Sequence, residues 1–320
     1  MDNLSGAELA QAFVSIPASV TSLDLAGNEL GNKGGGELAQ AFAALPNRIT
    51  SLNLKYNHLG NLSGAELAQI FAAIPKSITS LDLGRNLFGG MIGDELAQAF
   101  AAIPEGVTGL DLSWNDLDEL SGAELAQIFA AIPPGVTSLN LTGNGLDDSS
   151  NLELMQAFTA IPNTIVYLNL ASNGLGIRNG AELAQDFAAI PAGVTSLDLR
   201  FTCLYCLSLT DLALLKNSLP HVQTIYLSVS EIKIMSKEQR QMLRAVFPNI
   251  QKIILVYDNN KEVDISQSIE MSNYIRELGL KTEVPSLLHQ GSRFFKEQRV
   301  EINNKNVPEE LKEFVARQSL

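Results

Sequence analysis

VTSLDLAGNEL, running from Val20 to Leu30, decides the architecture because it returns almost unaltered along the chain. It recurs as ITSLNLKYNHL from Ile49, ITSLDLGRNLF from Ile78, VTGLDLSWNDL from Val107, VTSLNLTGNGL from Val136, IVYLNLASNGL from Ile165 and VTSLDLRFTCL from Val194, at intervals of 29 residues. Two worn copies, VQTIYLSVSEI from Val222 and IQKIILVYDNN from Ile250, follow at 28. A period of this length is the mark of a solenoid, in which each unit buries its apolar face against the next.

Each copy is short and dense in β-branched and leucine residues, the composition of a buried strand, so Val20, Leu23 and Leu25 are expected to point into a core. Asn28 follows, matched by Asn57, Asn86, Asn115, Asn144 and Asn173. An amide at a strand-to-turn bend can satisfy backbone groups that the bend leaves unpaired, and in a stack every Asn can serve its neighbour. The row is therefore read as structural. These residues resemble the leucine-rich repeat pattern LxxLxLxxN, and the 28/29-residue period with a helical second half is similar to its ribonuclease-inhibitor-like subclass. The resemblance implies an α/β fold: a horseshoe solenoid with a parallel β-sheet on the concave face and α-helices on the convex face.

The helical half first appears as SGAELAQAFVSIP, from Ser5 to Pro17. Ser5 and Glu8 have capping-box spacing, repeated at Ser63/Glu66, Ser121/Glu124, Ser150/Glu153 and, with an Asn cap, Asn179/Glu182. Leu9, Phe13 and Ile16 form one apolar stripe. Pro17 and its counterparts are expected to end the helices, and small residues such as Ala10 and Ala12 to let successive helices approach. The repeats suggest a solenoid over residues 1–257, about nine strands with the last two degenerate and capping, followed by a helical extension over 258–320. In the extension, Asp264–Leu280 and Pro308–Gln318 read as helices and Pro285–Leu288 as a turn or short helix. The chain starts inside a repeat with no dedicated cap, which leaves a monomer or a weak dimer through the edge strand at Val20–Leu25.

Residues 1–200 hold 7 Lys+Arg against 21 Asp+Glu, within a formal net charge of −13 for the 320-residue chain. That field disfavours nucleic acid and anionic membrane and would steer a protein partner with a basic surface; it also keeps an Ala/Leu-rich solenoid soluble. No run of 18 apolar residues suggests a membrane span, and Met1-Asp2-Asn3 does not open a secretory signal peptide. Cys203 and Cys206 are the only cysteines. With no second pair and only His221 nearby, they read as reduced thiols in place of a zinc or redox site.

No catalytic motif, cofactor site or metal site is expected. Asp24, Asn53, Asp82, Asp111, Asn140, Asn169 and Asp198 form a row along the concave sheet, read as a polar ladder or, at Asp82 and Asp111, as part of a binding face. The informative residues vary between copies, since the shared ones serve the fold. Lys55, Tyr56 and His58, then Arg85, then Trp114 and Asp116, then Arg200 occupy the variable places just after the strands. Tyr56, Arg85 and Trp114 should lie side by side on the strand-end rim, and these residue types dominate binding hot spots. Trp114 is the only Trp, and its counterparts Gly27, Gly143 and Ser172 show that the fold does not need it there. It reads either as an anchor or as a ring folded down on a neighbour. Tyr167, alone in a row with Ser22, Ser51, Ser80 and Ser138, adds a concave aromatic.

The expected function is non-enzymatic protein binding by an acidic horseshoe that blocks or scaffolds its partner. Near-identical repeats and Ala-rich helices resemble repeat effectors that intracellular bacterial pathogens inject into host cells. VPEELKEFVARQSL, with Glu309, Glu310 and Glu313, is similar to the C-terminal signals read by type IV systems. That resemblance implies passage from the bacterial cytoplasm to the host cytosol, and a host protein or a co-injected bacterial enzyme as partner. Injected leucine-rich-repeat ubiquitin ligases are disfavoured because no Cys follows Cys206, and eukaryotic immune receptors because their turns usually pair Cys with Asn.

Overall fold

The computed structural model describes residues 4–147, 151–265 and 268–280. Its nine strands form one parallel sheet in sequence order: β1 (Ser22–Asp24), β2 (Ser51–Asn53), β3 (Ser80–Asp82), β4 (Gly109–Asp111), β5 (Ser138–Asn140), β6 (Tyr167–Asn169), β7 (Ser196–Asp198), β8 (Thr224–Ser228) and β9 (Lys252–Val256). Register follows the repeat residue for residue, Leu23 facing Leu52 and Leu52 facing Leu81. The sheet does not close, so the molecule is an open leucine-rich repeat horseshoe with the sheet on its concave face.

The convex layer comprises α1 (Gly6–Val14), α2 (Gly35–Ala43), α3 (Gly64–Ala73), α4 (Gly93–Ala101), α5 (Gly122–Ala130), α6 (Asn151–Thr159), α7 (Gly180–Ala189) and the shorter α8 (Leu209–Leu214). Full capping boxes form at Ser5/Glu8, Ser63/Glu66 and Ser121/Glu124. Asn179 accepts from the Glu182 N–H, while Ser150 lies outside the described residues. The glutamate at the helix start also serves the preceding repeat: Glu66 accepts from the Gly35 N–H at 3.2 Å and Glu95 from the Gly64 N–H at 3.1 Å.

Several expectations are corrected. Helices α1 to α7 stop two or three residues before the next proline, as α1 does at Val14, and Pro17 instead opens a turn whose carbonyl accepts from Val20. Successive helices also approach closely at their first residue, where a Cβ on Gly64 would stand 2.4 Å from Glu95 Cβ. Val20 and Leu23 are only partly buried, unlike Leu25 and the inner counterparts Ile49 and Leu52. The core is a continuous row of Leu, Ile and Phe between sheet and helices, with Phe42, Phe71, Phe100, Phe129, Phe158 and Phe187 buried one per repeat along it.

At the C-terminal end, α9 (Val229–Ile234) replaces the usual turn directly after β8, and α10 (Lys237–Val246) follows. After β9 the chain doubles back, with Val256 bridging Glu262 antiparallel. Asp264–Leu280 is not one helix: α11 covers Ile269–Glu277, capped by Ser268, and buries Met271, Ile275 and Leu278. Arg240 on α10 ties it down, 2.6 Å from Glu277 and with its guanidinium 4.6 Å from the Tyr274 ring centre. The segments Pro285–Leu288 and Pro308–Gln318 and the VPEELKEFVARQSL tail lie outside the described residues.

Candidate protein-binding rim

The polar rows that line the strand exits are spent on the fold. In the inner repeats the Asn row is buried: Asn86 Oδ1 accepts from the N–H groups of Asn57 and Leu59, while its Nδ2 donates to the carbonyls of Leu54, Leu83 and Gly84. Each Asn thereby stitches its own turn to the one before it. Thr202 breaks the row and keeps a bond within its own turn, donating to Leu199 O at 2.6 Å, and in the next repeat, which also lacks the Asn, Glu231 from α9 accepts from Phe201 N–H at 2.6 Å and Cys203 N–H at 2.7 Å. Burial pushes the Glu231 carboxyl up, against those donors. Sequence reading missed it because the residue is displaced from the repeat register.

The Asp/Asn row also has a backbone role. Each member accepts from the N–H two residues on, as Asp82 does from Gly84 at 2.9 Å and Asp111 from Ser113 at 2.8 Å. Asp111 additionally accepts from Asn140 Nδ2 at 2.7 Å. Burial first, and the Asp111 charge after it, raise the Asp82 carboxyl, while the Gly84 N–H opposes them.

Beyond these rows the chain passes twice through the left-handed region in each of the first seven repeats. The first passage holds Gly27, Tyr56, Arg85, Trp114, Gly143, Ser172 and Phe201; the second holds Glu29, His58, Leu87, Asp116, Gly145, Gly174 and Cys203. The glycines recurring at these places were the sequence signal for that backbone. An L-residue there costs on the order of 1 kcal/mol relative to Gly, yet repeats two to four fill both passages with side chains.

The structure brings Tyr56, Arg85 and Trp114 together as expected. The Arg85 guanidinium carbon stands 4.9 Å from the Tyr56 ring centre and 4.8 Å from that of Trp114. Trp114 also lies over Gly143, where a Cβ would meet its ring at 2.5 Å. It is thus both folded against a neighbour and still 42% exposed, beside Tyr56 at 48% and Leu87 at 45%. Leu87 was not singled out in the sequence. Lys55 and His58 flank this stack partly buried, and Asp116 is exposed.

Tyr167 and Arg200 belong elsewhere, two and three strand spacings, or roughly 10 and 15 Å, from Trp114's repeat. Arg200 is paired with Asp198 at 2.8 Å and donates to Asn260 at 2.7 Å. Tyr167 donates to Asp198 at 3.3 Å and packs edge-on against Tyr226 at 5.7 Å. Burial, then the Asp198 charge, pushes the Tyr167 phenol up. These groups knit β6, β7, β8 and the segment after β9 together. Burial likewise raises the Cys203 thiol, which holds it protonated. Among the described residues no three His, Cys, Asp or Glu cluster as metal ligands, and no helix is long and apolar enough to cross a membrane.

The family described as Leucine Rich repeat matches residues 17–39. Among solved structures, the chain is similar to the leucine-rich repeat-containing protein LegL7 from Legionella pneumophila, at 50% identity over 89% of each chain with a TM-score of 0.80. A chain in the Rad7 and Elc1 complex from yeast aligns at 15% identity over 80% of this chain and 67% of its own; its TM-score of 0.44 is too low to carry a fold likeness. No curated protein matches by sequence.

Proposed function

The chain belongs to the leucine-rich repeat family, and from that premise we propose that it binds a protein partner through the strand-end rim of repeats two to four. Leucine-rich repeats are in general non-enzymatic interaction scaffolds, and the bound partner would be sterically blocked or scaffolded. The observation that carries this reading is the half-exposed Tyr56–Arg85–Trp114 stack, built at left-handed positions where the neighbouring repeats use Gly27 and Gly143. A rigid preformed surface loses little entropy on association, so a few anchors suffice. The net charge of −13 favours a partner whose surface is basic overall. Lys55, His58 and Asp116 complete the contact edge, with Asp82 and Asp111 behind it and Tyr167 and Arg200 farther along.

We further propose an effector role in a host cytosol, with a host protein or a co-delivered bacterial enzyme as partner. The support is the repeat resemblance together with the Legionella pneumophila relative. The test is affinity capture from host-cell lysate with the wild type beside Tyr56→Ala/Arg85→Ala/Trp114→Ala of matched thermal stability. A protein retained by the wild type and lost with the variant supports the rim. The same set of proteins on both removes it.

A further inference from the structure

We propose that Arg85 is a preformed receptor for one carboxylate side chain, an Asp or Glu on the partner protein; this rests on the rim being the binding surface. Seven arginines fall in the described part of the chain. Six donate to oxygen: Arg48 to Pro17 O, Arg178 to Asp147 O, Arg200 to Asp198 and Asn260, Arg240 to Glu277, Arg244 to Phe247 O and Arg276 to Asn273. Arg85 alone among them has only ring faces as partners.

That exception sets its chemistry. A guanidinium is planar, with five N–H donors in its plane and none on its faces. Its carbon stands over the Tyr56 ring at 4.9 Å and over the Trp114 ring at 4.8 Å, and no oxygen of the described residues takes its N–H donors, which leaves them for an incoming acceptor. The rings also strip water from the cation and fix its direction, and the backbone beneath it is held by the Arg85 N–H bond to Ser113 O at 2.8 Å. A charge-assisted fork to a carboxylate then forms with little left to order.

The surroundings select a single negative charge. The nearest exposed rim places in the second left-handed row are Leu87 and Asp116, apolar and acidic, which disfavours a phosphate dianion. Tyr56, Leu87 and Trp114 offer apolar surface around the fork, matching an acidic residue flanked by apolar neighbours on an otherwise basic partner face.

Trp114 is the only tryptophan, so its fluorescence reports on the clamp. The probes are the blocked peptide acetyl-Ala-Glu-Ala-amide, its Gln twin and inorganic phosphate, titrated into the full chain, with the Arg85 Nε–H resonance followed by NMR. The expected result is a saturable response to the Glu peptide in the millimolar range, roughly fivefold or more tighter than to the Gln twin, and absent in Arg85→Met. Arg85→Lys, which keeps the charge without the fork, should bind more weakly than wild type; thermal melts confirm that both variants fold. An equal response to the Gln twin, a response kept in Arg85→Met, saturation by phosphate alone, or silence towards all probes would overturn the proposal. The rim reading is separated from it by Tyr56→Ala/Trp114→Ala in the capture experiment: loss of partner there, with no carboxylate response here, sinks only the receptor.

Discussion

At the residue scale the deciding question is what a side chain satisfies. Asn86 satisfies two backbone donors of the preceding turn and three carbonyls, all out of water. Asn86→Ala should therefore lower unfolding free energy by about 3 kcal/mol or more, each stranded group costing about 1–3 kcal/mol. Asn28, part-exposed in the first repeat, should cost only about 1 kcal/mol when replaced by Ala. Urea denaturation distinguishes the two. A second case is Asp186, fully buried on α7 where other repeats carry Ala41, Ala99 and Ala157, and 3.0 Å from the buried Arg178. Asp186→Ala alone leaves a buried cation and should cost about 3–5 kcal/mol, whereas Arg178→Met/Asp186→Ala should match or exceed the wild type. Burial raises the Asp186 carboxyl to about 6, against the opposing pull of Arg178. With the folded value above the unfolded 3.8, its favourable contribution is present below that value and lost as pH rises through about 6. Thermal melts should show the wild type losing ground to Asp186→Asn as pH rises across that interval.

At the scale of elements, α3, α5 and α8 are each held at their start by a carboxylate that also reaches the helix before it. Glu66 accepts from Ser63 N–H at 3.0 Å within its own cap and from Gly35 N–H at 3.2 Å across the repeat boundary. Those bonds lower its pKa below 4.5, so this contribution stands above pH 4.5 and is lost as pH falls through the lowered value. Glu66→Ala should lower stability at neutral pH by about 1 kcal/mol. Glu66→Gln should recover most of that loss, since an amide oxygen also closes the box; urea midpoints at two pH values check both. The Glu66 and Asp186 contributions run oppositely with pH, and only the single variants separate them.

At the scale of the molecule, the acidic balance takes on a local meaning. Eleven of the 21 acidic residues before position 201 are the repeated helix-start glutamates and the strand-exit aspartates. Most of the charge is thus capping chemistry multiplied by repetition, beside which the Lys55–Arg85 stretch of rim is a cationic break. A solenoid also has weak ends, because each repeat is covered by its neighbours only. The first repeat keeps Val20 and Leu23 half-covered, while the last is closed by α11 through Arg240, Glu277 and Tyr274. Amide hydrogen exchange should be slowest in β3–β7, fastest in α1 and β1, and intermediate in β8 and β9. Uniform protection along the sheet would contradict nearest-neighbour stability.

The sequence by itself determined the period, the strand register, the inward leucines, the Asn ladder and most caps, because each is a local pattern copied until copying reveals it. It also singled out Tyr56, Arg85 and Trp114 as side chains the repeat does not require. It could not determine what depends on neighbours 29 residues away or on a broken register. That Arg85 lies over two rings, that Trp114 rests on Gly143, that Arg200 and Tyr167 turn inward to Asp198, and that Glu231 replaces the missing Asn were decided only in the tertiary structure. The physical reason is the same in each case. A repeat specifies its own backbone, whereas the state of a variable side chain is set by whatever the next repeat places about 5 Å away.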